Sequence, residues 1–135
     1  MNPVIAGAIR YNPARVQQFD AGATAILNGD LLKFGTAGVM DPAADNDENL
    51  RVFVSLANTA ALGLKSQNLG ATVVPLEDAV VRIAYTGGTP VVGTSYGISD
   101  QRTLDVANTT QLLLTVVNVD TDQGFAECIE YKISA

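Results

Sequence analysis

The chain has 135 residues, 47% of them hydrophobic, with eight Lys and Arg against fourteen Asp and Glu, a net charge of −6, no histidine and one cysteine. A single cysteine forms no internal disulfide, so a domain of this length rests on a packed core that removes about two-thirds of the unfolded chain's surface from water. The acidic balance excludes the basic footprint that nucleic acid requires, and no apolar stretch reaches the roughly 18 residues that span a bilayer.

The first residues, Met1-Asn2-Pro3-Val4-Ile5-Ala6-Gly7, lack the charged start and long apolar run of a signal peptide, so the chain is expected to be made and kept in a cytoplasm until it meets a partner. Residues 1–20 carry Arg10 and Arg15 against the single acid Asp20, whereas residues 21–135 are strongly acidic. Pro3 and Pro13 disfavour a continuous helix, and Tyr11-Asn12 before Pro13 is biased towards extended geometry. Residues 1–20 are therefore read as an extended N-terminal arm, and residues 21–135 as the β domain. The arm's removal is expected to leave that domain folded. Its candidate partner-binding residues are Pro3, Ile5, Arg10, Tyr11, Arg15 and Phe19.

Twelve glycines and five prolines cut the chain into short runs rich in Val, Ile, Leu and Thr. Asn28-Gly29 between two apolar runs signals a hairpin, because a type I′ turn needs positive φ at both central residues. An acidic loop over 41–48 leads to a strand over 51–56 with Val52 and Val54 on one face and Phe53 on the other. Residues 58–67 suit a loop with a short helix, which Gly63 weakens. Strands are expected over 71–74, ended by Pro75, and over 79–85, after which Gly87-Gly88 turns the chain into Pro90-Val91-Val92. Residues 93–106 read as two short strands around a tight turn at Asp100-Gln101-Arg102. The last pair, 111–119 and 125–133, flanks Asp120-Thr121-Asp122-Gln123-Gly124 and is expected to form an antiparallel hairpin. In its second strand Phe125, Ile129, Tyr131 and Ile133 share the parity expected to face the core, with Glu127 interrupting it. Cys128 is read as a small buried hydrophobe. The expected fold is thus all-β, a small single-domain β-barrel or β-sandwich with an extended N-terminal arm.

The chemistry-bearing residues are sparse. Asp120-x-Asp122-x-Gly124 opens like a calcium loop but lacks the remaining ligands and the distal glutamate, so it reads as a hairpin turn. Asp41, Asp45, Asp47 and Glu48 read as a solvated acidic loop, and no metal is assigned. Thr86-Gly87-Gly88-Thr89 lacks the lysine and helix of a phosphate loop. Glu77 and Asp78 have no nucleophile or base in a recognisable motif beside them, so no enzymatic activity and no cofactor are expected.

Asn28-Gly29-Asp30-Leu31-Leu32, then Gly38-Val39-Met40 followed by Arg51-Val52-Phe53-Val54-Ser55-Leu56-Ala57-Asn58, resemble the capsid cement, or head decoration, proteins of tailed bacteriophages. So do Gly88-Thr89-Pro90-Val91-Val92-Gly93-Thr94-Ser95-Tyr96-Gly97-Ile98 and the short Thr103-Leu104 strand before the terminal hairpin. The resemblance covers most of residues 24–133 and is carried by glycine, valine and turn positions. It implies a small β-barrel or β-sandwich on the outside of an expanded capsid, bound to the major capsid protein, commonly as a homotrimer near threefold axes. It brings no catalytic residues. The alternative from another class is a carbohydrate-binding or host-attachment module of a tail appendage; the absence of tryptophan as a sugar platform lowers it.

Overall fold

A computed structural model describes residues 7–19, 25–34, 39–44, 51–57 and 71–131. Within them lie eleven strands: β1 (Gly7–Tyr11), β2 (Gln17–Phe19), β3 (Leu31–Phe34), β4 (Met40–Pro42), β5 (Phe53–Ser55), β6 (Ala71–Pro75), β7 (Ala79–Thr86), β8 (Ser95–Asp100), β9 (Thr103–Asp105), β10 (Leu114–Asp120) and β11 (Phe125–Glu130). The chain is all-β, as its turn chemistry and alternation imply. The helical segment expected within 58–67 and the acidic positions Asp45, Asp47 and Glu48 lie outside the described residues.

Five strands, β7, β11, β10, β8 and β9, close into a barrel. An odd ring cannot alternate strand direction all the way round, so one neighbouring pair must run parallel. That pair is β7 with β9, Ala84 opposite Thr103 and Thr86 opposite Asp105, while every other pairing in the ring is antiparallel. The second sheet runs β2-β6-β5-β3-β4, wholly antiparallel.

Alternation along β5 explains how the two sheets share a core. Val52 and Val54 pack with Leu31, Val74 and Leu76 against Val81, Ile98, Leu114 and Val116 of the barrel, whereas Phe53 points the other way into a second cluster with Ile26, Leu32, Met40 and Val73. Both faces of the short strand are buried, so the apolar run Val52-Phe53-Val54 that enters it carries two cores.

The N-terminal segment departs from the expected arm. Over its described part, residues 7–19, it runs antiparallel to 71–82: Gly7 opposes Arg82 and Tyr11 opposes Ala79 in the barrel sheet, and Gln17 opposes Val73 and Phe19 opposes Ala71 in the second sheet. Between these pairings both segments make a short 3₁₀ turn, Pro13–Arg15 beside Leu76–Asp78, as they cross from one sheet to the other. Pro13 supplies a fixed φ at the turn's first residue, and the Asn12 carboxamide oxygen accepts from the Ala14 N–H at 3.0 Å. The extended bias read around Pro13 is therefore spent on pairing with the chain's own β6 and β7, which satisfies backbone groups that a free arm would leave to solvent or a partner.

Two further expectations are corrected. Asn28-Gly29 does turn, with Gly29 at φ 91° and the Asp30 N–H on the Leu27 carbonyl at 3.0 Å, but its flanks do not pair as a hairpin: β3 pairs with β4 and β5. In β11 the buried parity is Ala126 and Cys128, and Ile129 is exposed. The register sets that parity: Ala126 opposes Ile83, and Cys128 opposes Val81 and Val116, whose side chains are all buried in the core. The terminal hairpin itself forms as expected, β10 against β11, closed by the Gly124 N–H on the Asp120 carbonyl at 2.9 Å.

Candidate functional site

The outer face of the barrel carries a row of side chains in register across five strands. Arg10 of β1 lies opposite Val80 of β7, Thr115 of β10 opposite Ile129 of β11, and Ser95 of β8 opposite Thr115. Cys128 opposes Val81, which sets Ile129 beside Val80 and completes the row Arg10, Val80, Ile129, Thr115, Ser95. Its centre is aliphatic, one end is cationic, and the other ends in two hydroxyls that share a hydrogen bond of 2.7 Å.

Two shallow depressions follow this row. One, of about 590 Å3, is bounded by Arg10, Tyr11, Asn12, Asp78, Val80 and Ile129; the other, of about 390 Å3, by Glu77, Ala79, Thr115, Ile129 and Glu130. Tyr11 and Ile129 stay 42% and 38% exposed there, although both are large apolar side chains. The acidic rim is held by the crossing turns: Arg15 Nε lies 3.3 Å from Asp78 Oδ2, and Glu77 faces Arg15 at 3.9 Å and Arg51 at 3.7 Å. These pairs are partly exposed and fix the rim's shape more than they stabilise the fold.

The inner side of the same wall is inert. Cys128 points into the core, and burial, reinforced by the neighbouring Glu127 charge, pushes its thiol up to about 12, so it holds its proton at neutral pH. Glu127 is in turn paired with Arg82 at 3.2 Å.

Of the residues singled out in the N-terminal segment, the structure brings Arg10 and Tyr11 to the outer barrel face and places Arg15 behind it as the clamp on Glu77 and Asp78. Phe19 is elsewhere: its ring packs edge-on against Phe34 at 5.0 Å and Phe53 at 5.8 Å in the second cluster. Pro3 and Ile5 lie outside the described residues. Val80 and Ile129 were not legible as site residues. The inward position of Cys128 was the available signal, because in a strand it forces Ile129 outward. Compared with models of protein families, with curated proteins and with solved structures, the chain matches none of them.

Proposed function

We propose that this chain is a structural virion protein, a cement or decoration protein that binds the outside of an assembled phage capsid and stabilises the lattice of its major capsid protein, with the homotrimer as its working form. The observation that supports this reading is the row across β1, β7, β11, β10 and β8: an open outer barrel wall with exposed Ile129 and half-buried Val80 at its centre and charges of both signs at its rim. Such a surface fits a protein face better than a small molecule, which is usually enclosed in a deep pocket. A protein that binds the assembled lattice and not the free subunit stabilises the shell by mass action, and contact with several subunits at once multiplies the effect.

The test is co-sedimentation of the purified chain with expanded capsids of the virus that carries it, followed by image reconstruction of the decorated particles. Saturable binding, density on the outer surface around threefold positions, and a higher temperature of capsid disruption are expected. Absence of binding to the intact lattice rejects the reading. The exposed Tyr11 ring beside Asn12 and carboxylates is the feature that favours the alternative, a glycan-binding attachment module, and retention on a glycan array without capsid binding would select it.

A further inference from the structure

We propose that the tip of the β7–β8 loop, residues 90–94, is a preformed apolar knob that seats in an uncharged apolar pocket of the coat lattice; this rests on the capsid reading above and names a contact separate from the barrel row. Val91 and Val92 are 60% and 59% exposed, the largest exposures among the large hydrophobic residues described. They do not sit on a loose loop. The Thr94 N–H donates to the Val91 carbonyl at 3.1 Å, closing a turn in which Gly93 takes φ 89°. A Cβ on Gly93 would meet nothing within 4 Å, so glycine is required there by the backbone angle and not by crowding.

Three more bonds fasten the turn to the barrel. The Gly93 N–H donates to the Val116 carbonyl at 2.8 Å, the Val116 N–H to the Thr94 carbonyl at 3.0 Å, and the Val91 N–H to the hydroxyl of the buried Tyr96 at 3.1 Å. Pro90 beneath the valines is buried. Holding two valines out in water on a backbone fastened by these four hydrogen bonds leaves little ordering cost to a binding partner.

Charge selects the kind of partner. Residues 83–99 contain no Asp, Glu, Lys or Arg, the longest such run in a chain that is otherwise strongly acidic. The tip therefore enters an apolar protein pocket without stripping water from an ion. A lipid surface fits poorly, because anionic headgroups repel a chain of net charge −6.

The experiment is capsid co-sedimentation of the full chain and two double variants, with melting temperature as the control on folding. Val91→Asp with Val92→Asp is expected to weaken binding by about tenfold or more, since each charge must enter an apolar pocket, with melting unchanged. The nearly isosteric pair Val91→Thr with Val92→Thr is expected to weaken it by a smaller factor of about three. Binding of both variants at wild-type strength overturns the knob and leaves the capsid reading standing. A wild-type chain that fails to bind capsids removes both. Retention of the wild type on phosphatidylcholine vesicles, or a self-association seen by sedimentation equilibrium, lost in either case with the Asp pair, reassigns the tip to lipid or to a second copy and overturns the proposal.

Discussion

The guanidinium of Arg102 grips the carboxylate of Asp30 through two hydrogen bonds, Nε to Oδ1 at 2.7 Å and Nη2 to Oδ2 at 3.1 Å, tying the β8–β9 turn of the barrel to the turn that precedes β3 of the second sheet. Asp30 also accepts the Leu27 N–H at 2.9 Å within its own turn, and the Leu31 N–H donates to the Gln101 carbonyl at 2.9 Å, so three hydrogen bonds join the two turns, two from Arg102 and one from Leu31. The burial is lopsided: the Asp30 side chain is 1% exposed and that of Arg102 is 45%. The hydrogen bond to Asp30 raises the Arg102 pKa above the ordinary value, so the guanidinium keeps its charge.

This asymmetry orders the variants. Arg102→Ala strands a buried carboxylate and is expected to cost about 2 to 4 kcal/mol, below the full range for a wholly buried pair because the guanidinium is half in water. Arg102→Ala with Asp30→Asn removes the stranded charge and is expected to be less destabilised than Arg102→Ala alone, a non-additivity readable in urea denaturation. Equal stability of Arg102→Ala and wild type would show that water already solvates Asp30.

Gly97, in the middle of β8, gives a second stability prediction. A Cβ there would run into the Asn108 amide and the Gln111 carbonyl, and the carbonyl belongs to backbone that cannot swing aside. Asn108 is itself fixed: its carbonyl accepts the Gly97 N–H at 2.9 Å and its side-chain oxygen accepts the Gln111 N–H at 3.1 Å. Gly97→Ala should therefore destabilise by about 1 to 3 kcal/mol, seen as a lower melting temperature, despite alanine's usual tolerance. An unchanged melting temperature would mean the 108–111 turn yields at no cost.

What the sequence disclosed follows the range of the interaction. The Asp120 to Gly124 turn, the alternation of Val52, Phe53 and Val54, and the terminal hairpin are written in neighbouring residues, and all are present. Closure of the barrel was not legible, because β7 and β9 pair across a whole intervening strand. Asp30 and Arg102 stand 72 positions apart and carry no local sign of one another. The N-terminal segment misled for the same reason: its partners, β6 and β7, begin some fifty residues or more along the chain, so its apolar side chains looked unpartnered. In β11 both parities carry apolar residues, and only the pairing with β7 and β10 decides that Ala126 and Cys128 go in.

Cys128 makes the alkaline limb of stability testable. Its folded pKa is raised to about 12 from an unperturbed 9.0, so the folded state keeps the proton over a range in which the unfolded thiol loses it. The stabilisation is complete below about pH 9 and is lost progressively as pH rises towards the folded value. Cys128→Ala, though less stable at neutral pH through its lost sulfur, is expected to show a shallower decline between pH 9 and 11 than wild type. Parallel declines would show that the thiol titrates alike in both states, and rapid modification of the native thiol at pH 8 would show the same.

The N-terminal segment separates binding from folding, residue by residue. Deletion of residues 1–20 removes β1 from the barrel sheet, β2 from the second sheet and the Phe19 ring from its two edge-on contacts, so a loss of stability is expected in place of an intact, merely weaker binder. Point changes are cleaner. Phe19→Ala should cost about 1 to 3 kcal/mol, discounted from a fully buried aromatic because Phe19 is only partly buried, and should leave capsid affinity of the folded fraction unchanged. Arg10→Glu with Tyr11→Ser alters two exposed side chains at the end of the outer row and should leave the melting temperature within about 2 °C of wild type, in line with the small effect of surface changes. The same pair should weaken capsid binding at low salt by about tenfold, with a smaller loss at high salt as the charge contribution is screened. If Arg10→Glu with Tyr11→Ser binds as the wild type does while Phe19→Ala alone impairs binding, the outer row is not the contact, and the partner must engage the second sheet.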